Sequence, residues 1–484
     1  MSLIPRLVLV AAAVAGLGLA AAAPVTEARA AAAPVTEARV AAAPGAPHIA
    51  LSAYTGPPGT AIRVSGSGFA TRETVRISLD DQDHTVAHAN RRGSFSGALV
   101  KVGSVGPGAY QVTAVGRRTG RQASATFTVH DNWAQYGAGP ARTGWNGNEY
   151  VLSPSAVPGL GQAWRFSTGN EVFSSPAVVN GTAYLGSLSN ALYALNAATG
   201  AQRWTFRTDG AVNSSPAVVG GKVYAGSEGS RVYAIGVVHG VQRWVYRTGA
   251  PVFGSPAVLN GTVYVAATNG TVYAFNAATG KWRWRVKLRT EVAASVAVAN
   301  GVVYVPAEPG ELYALSAATG ARLWHALLPG YAVSAPAVAN GVVYLGTDHT
   351  DVGDLLAFNA ATGSRMWDIQ DSNGAVDAAP AVAGGVVYWV ADGNAFATDA
   401  VTGNNVWTVT LTPMEMRSDP AVADGVVYFG ADGGDLYAFD AGSGSELWTY
   451  STGSPIEGSP AVADGRVYVG ADNHYEYAFA LPSG

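Results

Sequence analysis

The 484-residue sequence contains no cysteine, which excludes disulfides, thiolate metal sites, cysteine nucleophiles and covalent haem attachment. Charge is also sparse: Asp, Glu, Lys and Arg make up 13% of the chain and the formal net charge is -4. Such a chain has no overall basic field of the kind that phosphate neutralisation requires, so nucleic acid is not expected as a partner. Long apolar runs are few. One extends from Leu7 to Leu19, after Arg6 and before the small residues Ala21, Ala22 and Ala23. It is short and Ala-rich for a span of about 30 Å of hydrocarbon, and its order matches a secretory signal peptide with cleavage near residue 23. The expected mature protein is therefore secreted or extracytoplasmic, with no membrane span and no lipid on cysteine. Also missing are a G-x-S-x-G elbow, an H-E-x-x-H helix and a phosphate loop, and no catalytic constellation emerges.

What is abundant is glycine (60 residues), with 22 Tyr and 12 Trp, a composition suited to many short strands joined by tight turns. The segment AAAAPVTEAR at 20–29 is repeated at 30–39, and residues 24–46 are read as a low-complexity linker. From 47 to 130 short alternating segments, such as Ala61 to Ser65 and Thr74 to Leu79, are separated by Gly- and Pro-rich turns. This pattern predicts a small β-sandwich. The stretch GPPGTAIRVSGSGFATRETVRISL at 56–79 also resembles immunoglobulin-like (IPT/TIG-like) modules.

After a lead-in at 131–163, the sequence repeats itself about every forty residues. Tryptophan marks the period at Trp164, Trp204, Trp244, Trp284, Trp324, Trp367, Trp407 and Trp448. A Ser-Pro-Ala-Val segment marks it again, with Val296 in place of proline in the fourth copy. Between the markers lie an Asn-Gly, Gly-Gly or Asp-Gly turn, a Val-Tyr strand, a polar turn and a Leu-Tyr-Ala strand. Those dipeptides tolerate positive φ at both central positions, as a type I′ hairpin turn requires. Four strands per unit and eight units predict an all-β chain with an eight-bladed β-propeller over 164–484. The chain enters on the Trp164 strand and ends without a final tryptophan strand, so the first strand is expected to complete the last blade. The eight repeat tryptophans are assigned to the seams between blades.

The segment LYALNAATGAQRW at 192–204 and its copies resemble the tryptophan-docking motif of quinoprotein (PQQ-like) propellers, and the lead-in NWAQYGAGPARTGWNGNEY at 132–150 is similar to theirs. The resemblance implies the propeller fold over roughly 132–480. It implies either a calcium- and PQQ-dependent dehydrogenase or a non-catalytic propeller such as a barrel-assembly lipoprotein. In the dehydrogenases PQQ typically sits between a tryptophan and a disulfide of adjacent cysteines, near calcium and an aspartate base. With no cysteine here, no cofactor is expected; PQQ and calcium belong to the dehydrogenase alternative.

Strand alternation places two sets of loops on one face. The loops before Ser-Pro-Ala-Val supply Glu171, Asn213, Glu291, Asp377, Glu415, Arg417, Asp419 and Glu457, which predicts an acidic rim open to a protein or glycan partner. The fifth unit carries an insertion, Thr347 to Asp354, in which Asp348, Asp351 and Asp354 are candidate metal ligands.

Overall fold

The computed structural model describes residues 45–80, 82–103, 105, 107–349, 352–371, 374–391, 393–411 and 416–482. The signal segment at 1–23, most of the linker, Asp351 and Glu415 lie outside them. Among the described residues no helix is long and apolar enough to cross a membrane.

Residues 48–129 form two sheets. One orders the strands His48–Leu51, Ala61–Ser67 and Phe95–Lys101; the other orders Thr55–Gly56, Gln122–Val129, Gly108–Gly116, Thr74–Leu79 and Gln82–His88. Period-2 alternation turns Ile62 and Val64 of the first sheet toward Val75, Ile77, Val112 and Phe127 of the second, and these side chains make one core. Glu73 lies at its edge and is 2% exposed. Burial opposes its charge, but the N–H groups of Ala70, Thr119 and Arg118 and the Thr119 hydroxyl donate to the carboxylate and hold it at about 2.

Residues 161–480 form an eight-bladed propeller of antiparallel four-stranded sheets, blade 1 running from Ala177 to Arg207; in blade 7 Trp145–Asn146 of the lead-in adds a fifth, parallel strand. All eight hairpin turns between the innermost and second strands have positive φ at both central residues, from Asn180 (49°) and Gly181 (67°) to Asp464 (54°) and Gly465 (66°). Blade 8 consists of Ala461–Ala463, Arg466–Gly470, Tyr475–Ala480 and, as its outer strand, Gly161–Ser167. The register Arg165↔Tyr477 joins the two ends of the ring by backbone hydrogen bonds.

Each repeat tryptophan lies in a seam. In seven of the eight the indole N–H donates to the carbonyl that opens the next blade's outer turn, as in Trp244 to Ala277 (3.1 Å) and Trp164 to Ala197 (3.0 Å). In six blades the second-strand tyrosine donates to the same carbonyl, as in Tyr224 to Ala277 at 2.9 Å. The indole rests on a turn glycine. A Cβ on Gly280, where φ is +72°, would stand 2.6 Å from the Trp244 ring, so only glycine fits both the conformation and the contact. The divergent second turn, Gly236 to Gly240, keeps the geometry, and Trp204 donates to Val237 at 2.8 Å.

Candidate functional site

The lead-in does not run outside the ring. It winds through the axis and bonds the middle valine of every innermost strand in turn. Trp133 exchanges both backbone bonds with Val178; the N–H groups of Val218, Val298, Val338, Val382 and Val422 then donate to the carbonyls of Ala134, Pro140, Ala141, Thr143 and Gly144. In blade 3 the Gln135 amide takes both groups of Val258 (2.7 and 3.1 Å), and in blade 8 Asn146 Nδ2 donates to the Val462 carbonyl at 2.8 Å. The innermost strands would otherwise leave these groups unpaired inside the ring, which is costly. The lead-in is thus a plug that satisfies them.

A second ring surrounds the plug. The residue before proline in Ser-Pro-Ala-Val accepts a hydrogen bond from the backbone N–H of its counterpart one blade earlier: Ser175 N to Ser215 Oγ, Ser215 N to Ser255 Oγ and Ser255 N to Ser295 Oγ, at 2.8–2.9 Å. The chain of bonds resumes from Ala379 N to Asp419 Oδ1, Asp419 N to Ser459 Oγ and Ser459 N to Ser175 Oγ. Asp419 therefore departs from the rim expected of it. It faces the axis, where it takes the place that serine holds in five other blades, and it accepts a hydrogen bond from Tyr136. Burial raises its carboxyl to about 6. The reason for an acid at this position is Arg142, 2% exposed in the plug, whose guanidinium donates to the carbonyls of Val296 (2.6 Å), Ser255 (2.6 Å) and Tyr136 (3.1 Å) and lies 4.7 Å from the Tyr136 ring centre. Burial lowers Arg142 to about 10, and Asp419 and Arg142 each favour the other's charged form beside Tyr136. Tyr136, Arg142 and the serine ring escaped the sequence reading; the single arginine of the glycine-rich lead-in was the available signal.

On the loop face, Arg417 pairs with Glu457 at 3.0 Å and with Asp432 at 3.4 Å. Burial and the neighbouring Glu457, Glu171 and Asp432 raise Asp472 to about 7, against the pull of Arg417. Glu171, Arg417 and Glu457 are thus gathered with Asp432 and Asp472 where blades 7, 8 and 1 meet. Asn213, Glu291 and Asp377 sit on separate blades; Glu291 lies near Glu308, whose carboxyl is raised by burial and by that neighbour.

The fifth-blade insertion is a longer hairpin, Val342–His349 and Val352–Asn359, rather than an open loop. Its register pairs Thr347 with Asp354 and Asp348 with Gly353. Paired residues share a face and successive ones alternate, so Asp348 and Asp354 point to opposite faces. Asp354 is 4% exposed beside the Thr347 hydroxyl. Among the described residues no group of His, Asp or Glu side chains is placed to hold a metal ion.

Two cavities frame what can bind. The axial one, between Trp133, Tyr136, Arg142, Ser175, Asp419 and Ser459, holds about 10 Å³, room for one water, whereas ligand pockets usually hold about 300–1,000 Å³. On the loop face Arg417 is engaged by two carboxylates. An open groove of about 450 Å³ lies on the N-terminal module, lined by Arg76, Ser78, Val115 and Arg117.

The fold has known counterparts. The quinohemoprotein alcohol dehydrogenase of Comamonas testosteroni superposes with a TM-score of 0.64 at 16% identity, over 73% of this chain and 81% of that one. BamB of Moraxella catarrhalis gives 0.57 at 16%, over 66% and 99%, and the computationally designed Ika8 protein gives 0.58 at 18%, over 65% and 98%. At these identities the likeness concerns the fold, which an enzyme, an assembly factor and a designed protein share. No curated protein matches the sequence. The family model described as outer membrane protein assembly factor BamB matches residues 108–284, 268–411 and 391–480. With well over half of its length matched, the chain belongs to this PQQ-like β-propeller family.

Proposed function

We propose that this chain is an extracytoplasmic, non-catalytic binding propeller that presents the acidic loop face of blades 7, 8 and 1 to a protein or glycan partner, a basic protein segment suiting its charge best. The observation that carries the reading is the carboxyl cluster of the loop face, which gathers side chains of three consecutive blades about one arginine. Around Arg417 the carboxylates of Glu171, Asp432, Glu457 and Asp472 outnumber the cation. Such a surface attracts cations over a distance of about a Debye length.

Calorimetric titration with PQQ, with and without calcium, tests the non-catalytic part. No saturable heat is expected, and binding near one equivalent would revive the dehydrogenase alternative. A hexalysine peptide tests the face. Binding should tighten as pH rises through 7, as Asp472 ionises, and Glu171→Gln with Asp472→Asn should weaken it at least fivefold. Unchanged binding would move the partner to another surface.

A further inference from the structure

The outer strands of blades 1, 2 and 3 carry a repeated array of cations. Arg203 and Arg207, Arg243 and Arg247, and Arg283 and Lys287 stand one residue before and three after the seam tryptophan, and all six are exposed. Blade 3 adds Lys281, Arg285 and Arg289, also exposed. No carboxylate occurs within Gln202–Arg207, Gln242–Arg247 or Trp282–Lys287. Arg203, Arg243 and Arg283 stand at the same β-bulge of successive outer strands, and Arg207, Arg247 and Lys287 at the same strand end, so equivalent positions form two rows that cross three blades.

The blade itself does not need them. The same positions hold Leu323 and Leu327 in blade 4, Met366 and Gln370 in blade 5, and Val406 and Thr410 in blade 6, with the same seam geometry. Nor do the cations serve internal ion pairs. Arg203, Arg207 and Arg283 donate to the backbone carbonyls of Gly181, Ser189 and Gly261, and Lys287 to that of Asn269. Those contacts hold the side chains along the wall and leave their charge uncompensated. In a chain of net charge -4, this concentration of one sign on consecutive blades costs self-repulsion and adds nothing to packing.

We infer that the outer wall of blades 1–3 is a docking surface for an acidic polysaccharide, apart from the carboxyl cluster of blades 7, 8 and 1 and independent of its function. Guanidinium forks suit carboxylate and other planar or tetrahedral anions in two-point contacts. Trp282 stands within the array, 53% exposed, with the Arg285 guanidinium 5.6 Å from its ring centre. An exposed indole flanked by cations offers a flat apolar platform for a sugar ring beside partners for its acid groups. The wall is convex, since each outer strand turns from the last by about an eighth of a circle in an eight-bladed ring; a flat membrane would meet one blade at a time, and a flexible chain can follow all three. A single exposed aromatic also falls short of the successive stacking platforms that single-stranded nucleic acid uses.

The test uses the folded protein and fluorescent polygalacturonate oligosaccharides of defined length, followed by anisotropy at physiological salt. Saturable binding is expected, absent for neutral dextran. Arg203→Ala, Arg243→Ala and Arg283→Ala together should weaken it at least tenfold with the melting temperature unchanged, while Arg322→Ala with Arg365→Ala on the next blades should leave it intact. Trp282→Ala should weaken polygalacturonate but not inorganic polyphosphate. Absence of binding, or indifference to the arginine row, would overturn the proposal. Equal loss, or no loss, of both polymers in Trp282→Ala would overturn its sugar specificity, and tighter row-dependent binding of single-stranded DNA or anionic vesicles would reassign the surface.

Discussion

Two glutamates, one at the edge of the N-terminal module's core and one deep in the closing blade, are both almost without solvent contact and are held in opposite states. Glu73 is 2% exposed and Glu476 is 0% exposed. Glu73 accepts hydrogen bonds from three backbone N–H groups and a hydroxyl, and its carboxyl is held at about 2. Glu476 occupies the third-strand position that holds Leu192, Val232 or Leu312 in other blades, and neither of its oxygens has a partner. Burial alone pushes it well above the ordinary carboxyl range. Low exposure alone therefore does not decide the charge of an acid; its depth and the donors that meet it do.

The closing blade is irregular in other ways. Its outer strand comes from the other end of the propeller, so it has no turn between third and outer strands. Trp448 donates to Leu160 instead (3.0 Å), and the buried Tyr428 hydroxyl has no partner. The junction with the lead-in is again carboxyl-rich. Asp131, raised by burial and by Glu149, accepts from Asn146 Nδ2 at 2.7 Å and from the Asp464 N–H, while Asp464 pairs with His130 at 2.8 Å.

The largest break in this comparison is deletion of residues 161–167. The propeller's calorimetric transition should lose cooperativity and fall sharply, while the module's remains; an unchanged propeller transition would refute closure by this strand. Asp419→Ser should follow, lowering propeller stability by up to about 3–5 kcal/mol in denaturant titration because Arg142 is left buried without its counter-charge. Trp244→Ala should cost a similar 3–5 kcal/mol through the vacated seam, again without moving the module. Glu476→Leu should work the other way. Removing an unpaired buried acid should stabilise the propeller by about 1–3 kcal/mol, and a lower melting temperature would show that the acid has an undetected partner.

The smallest and most diagnostic effect is the opposite response of the two regions to pH. Glu73 has a folded value below its ordinary 4.5, so its contribution is present above that value and is lost as pH falls toward 2. Glu476 has a folded value above 4.5, so its contribution is complete below 4.5 and is lost as pH rises; Asp472, at about 7 against 3.8, adds to this between roughly pH 4 and 7. Calorimetry from pH 3 to 8 should show the module's transition rising and the propeller's falling. Glu476→Gln should flatten the second slope only.

Much of the fold was legible because its signals are local. Each Asn-Gly or Asp-Gly turn, each Val-Tyr strand and each tryptophan followed from neighbouring residues, and repetition multiplied a weak signal by eight. The site was less legible. Glu171, Arg417 and Glu457 were named from their loops, yet nothing local distinguished them from Asn213 or Glu291, which stay apart. Asp419 was placed on the rim because its position in the loop is the rim's, and only the buried Arg142 explains why it faces inward. Asp348 and Asp354 looked like a cluster in sequence, and strand pairing sent them to opposite faces.

The sequence by itself thus determined the blade, the number of blades and the closure of the ring, because periodicity and turn chemistry act over a few residues. Only the tertiary structure decided that the lead-in fills the axis, that five charged side chains converge where blades 7, 8 and 1 meet, and that three separate repeats align their arginines on one wall. Those meetings join residues as far apart as Asn146 and Val462, 316 positions along the chain, and ring closure alone brings them within a hydrogen bond.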